Sequence, residues 1–260
     1  MLKKRLIPVL YLQNGMIVRS ETFSQFKIIG NPIHQLERLG EWEADELVYV
    51  DITRKGDHFS LRTDLKMMMD SSLISILKEI AKTAVMPLTF GGRIFSLDQV
   101  DEFIANGADK VLINTGAYRN PGLITQVAKK YGSQAMMLGI DVKLENGKHQ
   151  LYIDQGFEKI DRDILTWARE AVDRGAGEIL LNSIDRDGRA SGYDLEIHEK
   201  IAAAVKIPVI ACGGVGVFED FAPVLRGHVS AAAAGNIFHF TEIAYRRAKK
   251  HLKLKEINVR

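Results

Sequence analysis

Cysteine is nearly absent: Cys212 is the single one in 260 residues. No disulfide can form within the chain, and a thiolate metal site is not expected. So little cysteine suits the reducing cytoplasm, which is the expected compartment. Charge of one sign is not in excess either. Lys plus Arg is 35 against 33 for Asp plus Glu, a net charge of +2. That balance gives no electrostatic footprint for nucleic acid or an anionic membrane, and neither is an expected partner. No apolar run approaches the ~20 residues that span a bilayer. The start, Lys3-Lys4-Arg5 followed by apolar residues, has the look of a secretion signal. It stops at Gln13-Asn14-Gly15, too early for a signal core and cleavage site, so a soluble, intracellular protein is expected. The seven histidines have no short ligand spacing, and no metal is expected. Nucleophile-elbow, phosphate-loop and dinucleotide fingerprints are missing, and no cofactor is expected.

What is present is an ordinary globular composition, 46% hydrophobic and 26% charged. A chain of this length buries roughly 70–75% of its unfolded surface, enough for a large core. Short β-rich runs fall near 6–12, 46–52, 86–90, 110–114, 135–142, 178–182, 209–212 and 230–235. Most are continuously apolar, as in strands covered on both faces. Amphipathic stretches alternate with them at 73–82, 97–105, 123–130, 164–174 and 195–205. Pro32 and Pro121 open helices, and Gly107, Gly132 and Gly175 follow them. Strict alternation over this length predicts a (β/α)8 TIM barrel, with a doubly wound sheet as the alternative.

The sequence also repeats. Met86-Pro87 through Gly91-Gly92 reads like Ile207-Pro208 through Gly213-Gly214, and Asn114-Thr115 has a counterpart in Gly235-Asn236. The expected architecture is therefore one barrel domain, 1–260, built from half-barrels of about 1–131 and 132–260. Segment 54–69 breaks the pattern, being long and rich in charge and methionine. It reads either as a lid or partner contact, or as an irregular insertion packed outside the barrel.

Barrel chemistry gathers at the C-terminal ends of the strands. Gly91-Gly92 and Gly213-Gly214 each follow a strand and precede a helical pattern. Alone, each pair reads as a tight turn. Together with Asn114-Thr115 and Gly235-Asn236 they read as two phosphate sites, whose backbone amides close on an anion. Asp51, Asp141, Asp185 and Asp187 stand at strand ends, where a carboxylate can act as general acid or base or merely cap the next helix. At the opposite end, Arg5, Glu46, Lys110 and Glu178 stand at strand starts. They are either charges at wet strand ends or an inward ring of two cations and two anions.

These pieces together resemble the cyclase subunit of imidazole glycerol phosphate synthase. The carrying stretches include Lys4-Arg5-Leu6-Ile7-Pro8, Asp45-Glu46-Leu47-Val48-Tyr49-Val50-Asp51, Gly107-Ala108-Asp109-Lys110-Val111, Asp185-Arg186-Asp187-Gly188 and Asn236-Ile237-Phe238-His239-Phe240. With others they span nearly the whole chain. The resemblance implies a barrel on which a separate glutaminase docks from below. Ammonia would pass a gate formed by Arg5, Glu46, Lys110 and Glu178 to a bisphosphorylated ribonucleotide. Asp109 would lie at the glutaminase interface. Gly92, Asn114, Gly214 and Asn236 would serve the phosphate sites, Asp141 would be a catalytic aspartate and Asp187 a supporting one. Tyr11 stands where that family has its other catalytic aspartate. Arg19, Arg93 and Asn182 replace a lysine, a glycine and a threonine, and 54–69 is longer. The resemblance leaves two functions open. One is an ammonia-using cyclase of histidine biosynthesis, a lyase. The other is a non-cyclising partner that delivers ammonia to an amidotransferase or synthetase, amidating a nucleotide-linked sugar for surface polysaccharide.

Overall fold

The fold, a computed structural model, is described for residues 3–54 and 73–260. Its first half runs β1 (Arg5–Gln13), β2 (Met16–Glu21), β3 (Gln25–Gly30), α1 (Pro32–Glu41), β4 (Leu47–Asp51), α2 (Leu73–Thr83), β5 (Leu88–Gly91), α3 (Leu97–Ala105), β6 (Lys110–Ile113), α4 (Thr115–Arg119) and α5 (Gly122–Tyr131). The second half runs β7 (Met136–Glu145), β8 (Lys148–Ile153), β9 (Glu158–Ile160), α6 (Ile164–Asp173), β10 (Glu178–Ser183), α7 (Leu195–Ala204), β11 (Val209–Cys212), α8 (Phe221–Leu225), β12 (Ala231–Ala234), α9 (Ile237–Phe240) and α10 (Ala244–Leu254).

Eight of these strands are parallel and close on themselves in the order β1, β4, β5, β6, β7, β10, β11, β12 and back to β1. This is the (β/α)8 barrel, and the doubly wound alternative is excluded by the closure. Alternation along β1 shows how the core divides. Leu6, Leu10 and Leu12 face the helices, while Ile7, Val9 and Tyr11 face the barrel interior, as the two-residue period of a strand requires. The outer layer packs large rings such as Tyr49 on Phe90, 5.9 Å apart. The interior is filled by Val48, Leu112, Met137, Leu180 and Ile210.

Four short strands lie outside the sequence reading. β2–β3 and β8–β9 are antiparallel extensions of β1 and β7. Each begins at an Asn-Gly turn with positive φ at both residues, 49° and 75° at Asn14-Gly15 and again at Asn146-Gly147. Asn-Gly is the strongest short-range hairpin signal, because both turn residues must adopt the left-handed region. Segment 54–69, singled out in the sequence, lies outside the described residues from position 55 onward.

Candidate active site at the barrel mouth

The strand ends bring most of the expected residues together at one end of the barrel. A cleft of about 810 Å³, open to solvent, is lined by Tyr11, Phe23, Arg93, Asn114, Asp141 and others, Gly92 and Thr115 among them. A second, of about 270 Å³, is lined by Asp187, Cys212, Gly213, Gly214, Gly235 and Asn236 with their neighbours. Gly91 lies further back within β5, where a Cβ would sit 2.7 Å from that of Leu112. Its missing side chain serves strand packing. Gly92 has φ +99°, and a Cβ there would meet the Asp51 carbonyl oxygen at 2.0 Å. Gly214 is held the same way, at φ +106° and 2.1 Å from the Gly192 carbonyl oxygen. Close backbone approach alone thus demands both glycines. The helix after the first glycine pair begins at Leu97, where the sequence pattern placed it. Ser96 caps α3 through the Gln99 amide, so the Gly91-Gly92 turn is not itself a helix start.

Asp141 is buried and anchored from two sides. Asn114 Nδ2 donates to its Oδ2 at 2.8 Å, and Asn182 Nδ2 reaches its Oδ1 at 3.5 Å. Burial pushes its carboxyl up to about 7, although both amides favour the charged form. Such a group gives and takes protons near neutrality, which suits general acid–base chemistry. Asp187 is pushed up to about 6, again chiefly by burial. Asp51 accepts from the Thr53 amide at 3.0 Å and lies 4.0 Å from the Arg93 guanidinium. Asp185 accepts from the Leu144 amide at 3.4 Å. These two carboxylates hold local structure.

Raised carboxyl pKa values have a consequence for stability. Between the ordinary carboxylate value near 4 and about 7 for Asp141, the folded chain binds more protons than the unfolded one. Stability contributed by these groups must therefore fall as pH rises through that window. Thermal melting followed from pH 4 to 7 is expected to show the decline, and Asp141→Asn to flatten it. An unchanged slope in the variant would remove Asp141 as its source.

Tyr11 is buried in the mouth, its ring edge-on to Phe23 with centroids 5.1 Å apart. Burial first, then Cys212, Asp187 and Asp141, raise its phenol well above the usual value. It is a neutral hydroxyl at any physiological pH. Arg19 pairs with Glu21 within the β2–β3 hairpin.

At the other end of the barrel the four strand-start charges turn inward and meet. Arg5 Nη1 is 3.1 Å from Glu46 Oε1, Arg5 Nη2 is 2.7 Å from Glu178 Oε1, and Lys110 Nζ is 2.5 Å from Glu178 Oε2. Side-chain exposure is 11% for Arg5, 8% for Glu46, 9% for Glu178 and 22% for Lys110, so the wet-strand-end reading fails. Burial by itself weakens the proton affinity of Arg5, but its two carboxylates outweigh that and raise its pKa. The network is a chain, Glu46–Arg5–Glu178–Lys110, rather than a closed ring. Asp109 is exposed beside Lys110 and accepts from the Leu88 amide at 2.7 Å.

The sequence pattern of the family described as "Histidine biosynthesis protein" matches residues 5–244. The chain belongs to that family. It is similar to the "Imidazole glycerol phosphate synthase subunit HisF" of Alkaliphilus metalliredigens, 38% identical over 262 residues and covering all of both chains. The protein of the same description from Natranaerobius thermophilus is 37% identical over 261 residues, again over all of both. Within this family framework, sequence reasoning missed Phe23 and the wall formed by Asp154 and Gln155. Both reach the mouth on hairpins announced only by their Asn-Gly turns. Arg54, the last described residue before position 73, bonds Asp154 Oδ2 at 3.1 Å and lies 3.4 Å from the Phe157 ring centre. No helix among the described residues is long and apolar enough to cross a membrane.

Proposed function

We propose that this chain is the barrel subunit of a glutamine amidotransferase. A glutaminase docks below the barrel, near Asp109. Ammonia passes the Arg5–Glu46–Lys110–Glu178 gate and moves along the interior to the mouth. There a phosphorylated small molecule is held beside Gly92, Asn114 and Thr115 on one side and Gly213, Gly214, Gly235 and Asn236 on the other.

The buried charge network carries this reading. Three ion pairs sealed in a barrel are weak evidence for stability, because apolar residues of similar volume serve stability as well or better. A polar constriction at the base of a mostly apolar interior instead fits the passage of a small polar molecule. Ile7, Val48, Met137 and Leu180 above it offer little to trap neutral ammonia. At the mouth, Asp141 can exchange a proton with arriving ammonia or its product, with Asp187 in support.

A second reading, delivery of ammonia without cyclisation, is favoured by one observation. Tyr11 occupies the place of a catalytic carboxylate and is a neutral phenol there. The gate is retained while the acid–base pair is halved. An amidotransferase or synthetase working on a nucleotide-linked sugar would then consume the ammonia.

Docking is the test common to both. Titrating the full chain with the glutaminase subunits of the same cell, followed by sedimentation, should give a one-to-one complex with one of them. Asp109→Arg should weaken it by about tenfold, roughly 1.4 kcal/mol. If no glutaminase binds, the amidotransferase reading falls.

A further inference from the structure

The second glycine pair is braced from outside the mouth. The segment Gly192-Tyr193-Asp194, just ahead of α7, touches several of the backbone groups around it. The Gly192 amide donates to the Gly214 carbonyl at 2.9 Å, and the Gly192 carbonyl oxygen is the atom that a Cβ on Gly214 would meet. The Tyr193 hydroxyl donates to the Ala233 carbonyl at 2.9 Å, two residues before Gly235. The Asp194 carbonyl accepts from His198 Nδ1 at 2.6 Å, and His198 Nε2 accepts from the Cys212 amide at 3.3 Å, directly ahead of Gly213. Burial lowers the pKa of His198, so a neutral ring fills both roles.

What holds this brace is the Asp194 side chain, which is 5% exposed. Its Oδ1 accepts from the Ile197 amide at 3.4 Å and so caps α7. Its Oδ2 lies 2.9 Å from His149 Nε2 and 3.6 Å from Arg186 Nε. Arg186 Nη1 also reaches the Gly192 carbonyl at 3.4 Å. Burial by itself would raise the Asp194 carboxyl, but His149, the Ile197 amide and Arg186 outweigh it and lower the pKa. His149 comes from another part of the fold, sitting on β8 opposite Leu144 of β7. Neither His149 nor Asp194 lines the clefts of the mouth, so their pairing acts on the second glycine pair from behind.

His149 is 10% exposed and borders a separate lateral cleft of about 680 Å³ beside α6 and α7. The charged groups around it there are Lys148, Arg162, Asp163, Glu196 and Lys200. Imidazole is the side chain that changes charge between about pH 5 and 8. A buried carboxylate is held more strongly by an imidazolium than by a neutral ring, because a hydrogen bond between two ionised groups is the stronger kind. The state of His149 therefore sets how firmly the brace is fastened.

We propose that His149 and Asp194 are positioning residues for the second phosphate site, and that protonation of His149 tightens anion binding at Gly213, Gly214, Gly235 and Asn236. This rests on reading the glycine turns as phosphate sites, and it adds a control of one of them by pH.

Sulfate is the probe, because its charge stays constant over the range in which phosphate titrates. Its binding to the full chain is followed at the Gly214 and Gly92 amide resonances from pH 6 to pH 8. The unaltered protein is compared with His149→Gln, which keeps a donor in place of Nε2 and carries no charge. Ionisation of Asp187, whose carboxyl is pushed up to about 6, weakens the second site in both proteins and cancels in the comparison. The unaltered chain is expected to lose about fivefold more second-site affinity over this range than the variant, at the low end of couplings between separate sites. The Gly92 response should be the same in both. Parallel curves at Gly214, or an equal change at Gly92, overturn the proposal and leave the phosphate reading standing. Sulfate bound at Gly92 alone, or at neither pair, takes the phosphate reading of the second site down with it. Should His149→Gln not fold, hydrogen exchange in the unaltered chain decides. The protection factor of the Gly192 amide is expected to fall about fivefold from pH 6 to pH 8, and a constant one overturns the proposal.

Discussion

Tyr11→Asp is expected to raise ammonia-dependent turnover of the bisphosphorylated ribonucleotide by roughly 10²–10⁴-fold, the usual contribution of a positioned acid–base group. The phenol cannot serve as a base near neutrality, because burial and its neighbours Cys212, Asp187 and Asp141 all push its pKa upward. A carboxyl at position 11 would face Asp141, itself held near 7. An ionised carboxyl there and a protonated Asp141 in the same cleft would supply the base and the acid that the reaction needs. Initial rates with an ammonium salt in place of glutamine check this directly. If the unaltered chain already turns over as fast as the variant, Tyr11 is no obstacle and the cyclase reading stands. Silence in both would show that more than the acid–base pair has been lost.

The second large effect lies at the barrel floor. Glu178→Ala is expected to destabilise the chain by about 3–5 kcal/mol, the cost of leaving a buried charge without its partner. Glu178 is the hub of the network, binding Arg5 through one oxygen and Lys110 through the other, so Lys110 loses its counter-charge there and Arg5 keeps only Glu46. At about 2–4 °C per kcal/mol for a domain of this size, melting should fall by on the order of 10 °C. A purely structural network predicts that joint replacement of Arg5, Glu46, Lys110 and Glu178 by apolar residues restores stability and changes nothing else. A gate predicts that stability returns while glutamine-driven delivery of ammonia stays impaired and delivery from free ammonium does not. Melting curves and paired rate measurements separate the two.

Much of the architecture is legible in the sequence because both parts of a barrel's pattern are local. Eight apolar runs alternating with amphipathic stretches are enough to imply parallel strands covered on both faces. The hairpins escape that pattern, although Asn14-Gly15 and Asn146-Gly147 carry their signal. The apolar runs of β1 and β7 break at Gln13-Asn14-Gly15 and Lys143-Leu144-Glu145, so the hairpins lie outside the barrel's pattern and turn chemistry marks where the chain reverses. Phe23 is hidden with them, since its place in the mouth depends on the hairpin folding back over Tyr11. The glycine pairs are recognisable as turns from sequence. The reason Gly92 and Gly214 must be glycine, a carbonyl oxygen about 2 Å from the missing Cβ, involves a segment more than twenty residues away along the chain.

The sequence by itself determined the family, the barrel, the identity of the residue at position 11 and the presence of four charges at strand starts. All of these are written in residue types and their spacing along one chain. Only the tertiary structure decided that the four charges turn inward and pair, that Asp141 is buried enough for its carboxyl to be pushed to about 7, and that Phe23 packs edge-on against Tyr11 in the mouth. Those facts arise from barrel closure. It brings β1 beside β12 and β10 beside β7, and it sets the burial, and hence the electrostatics, of side chains that lie more than a hundred residues apart.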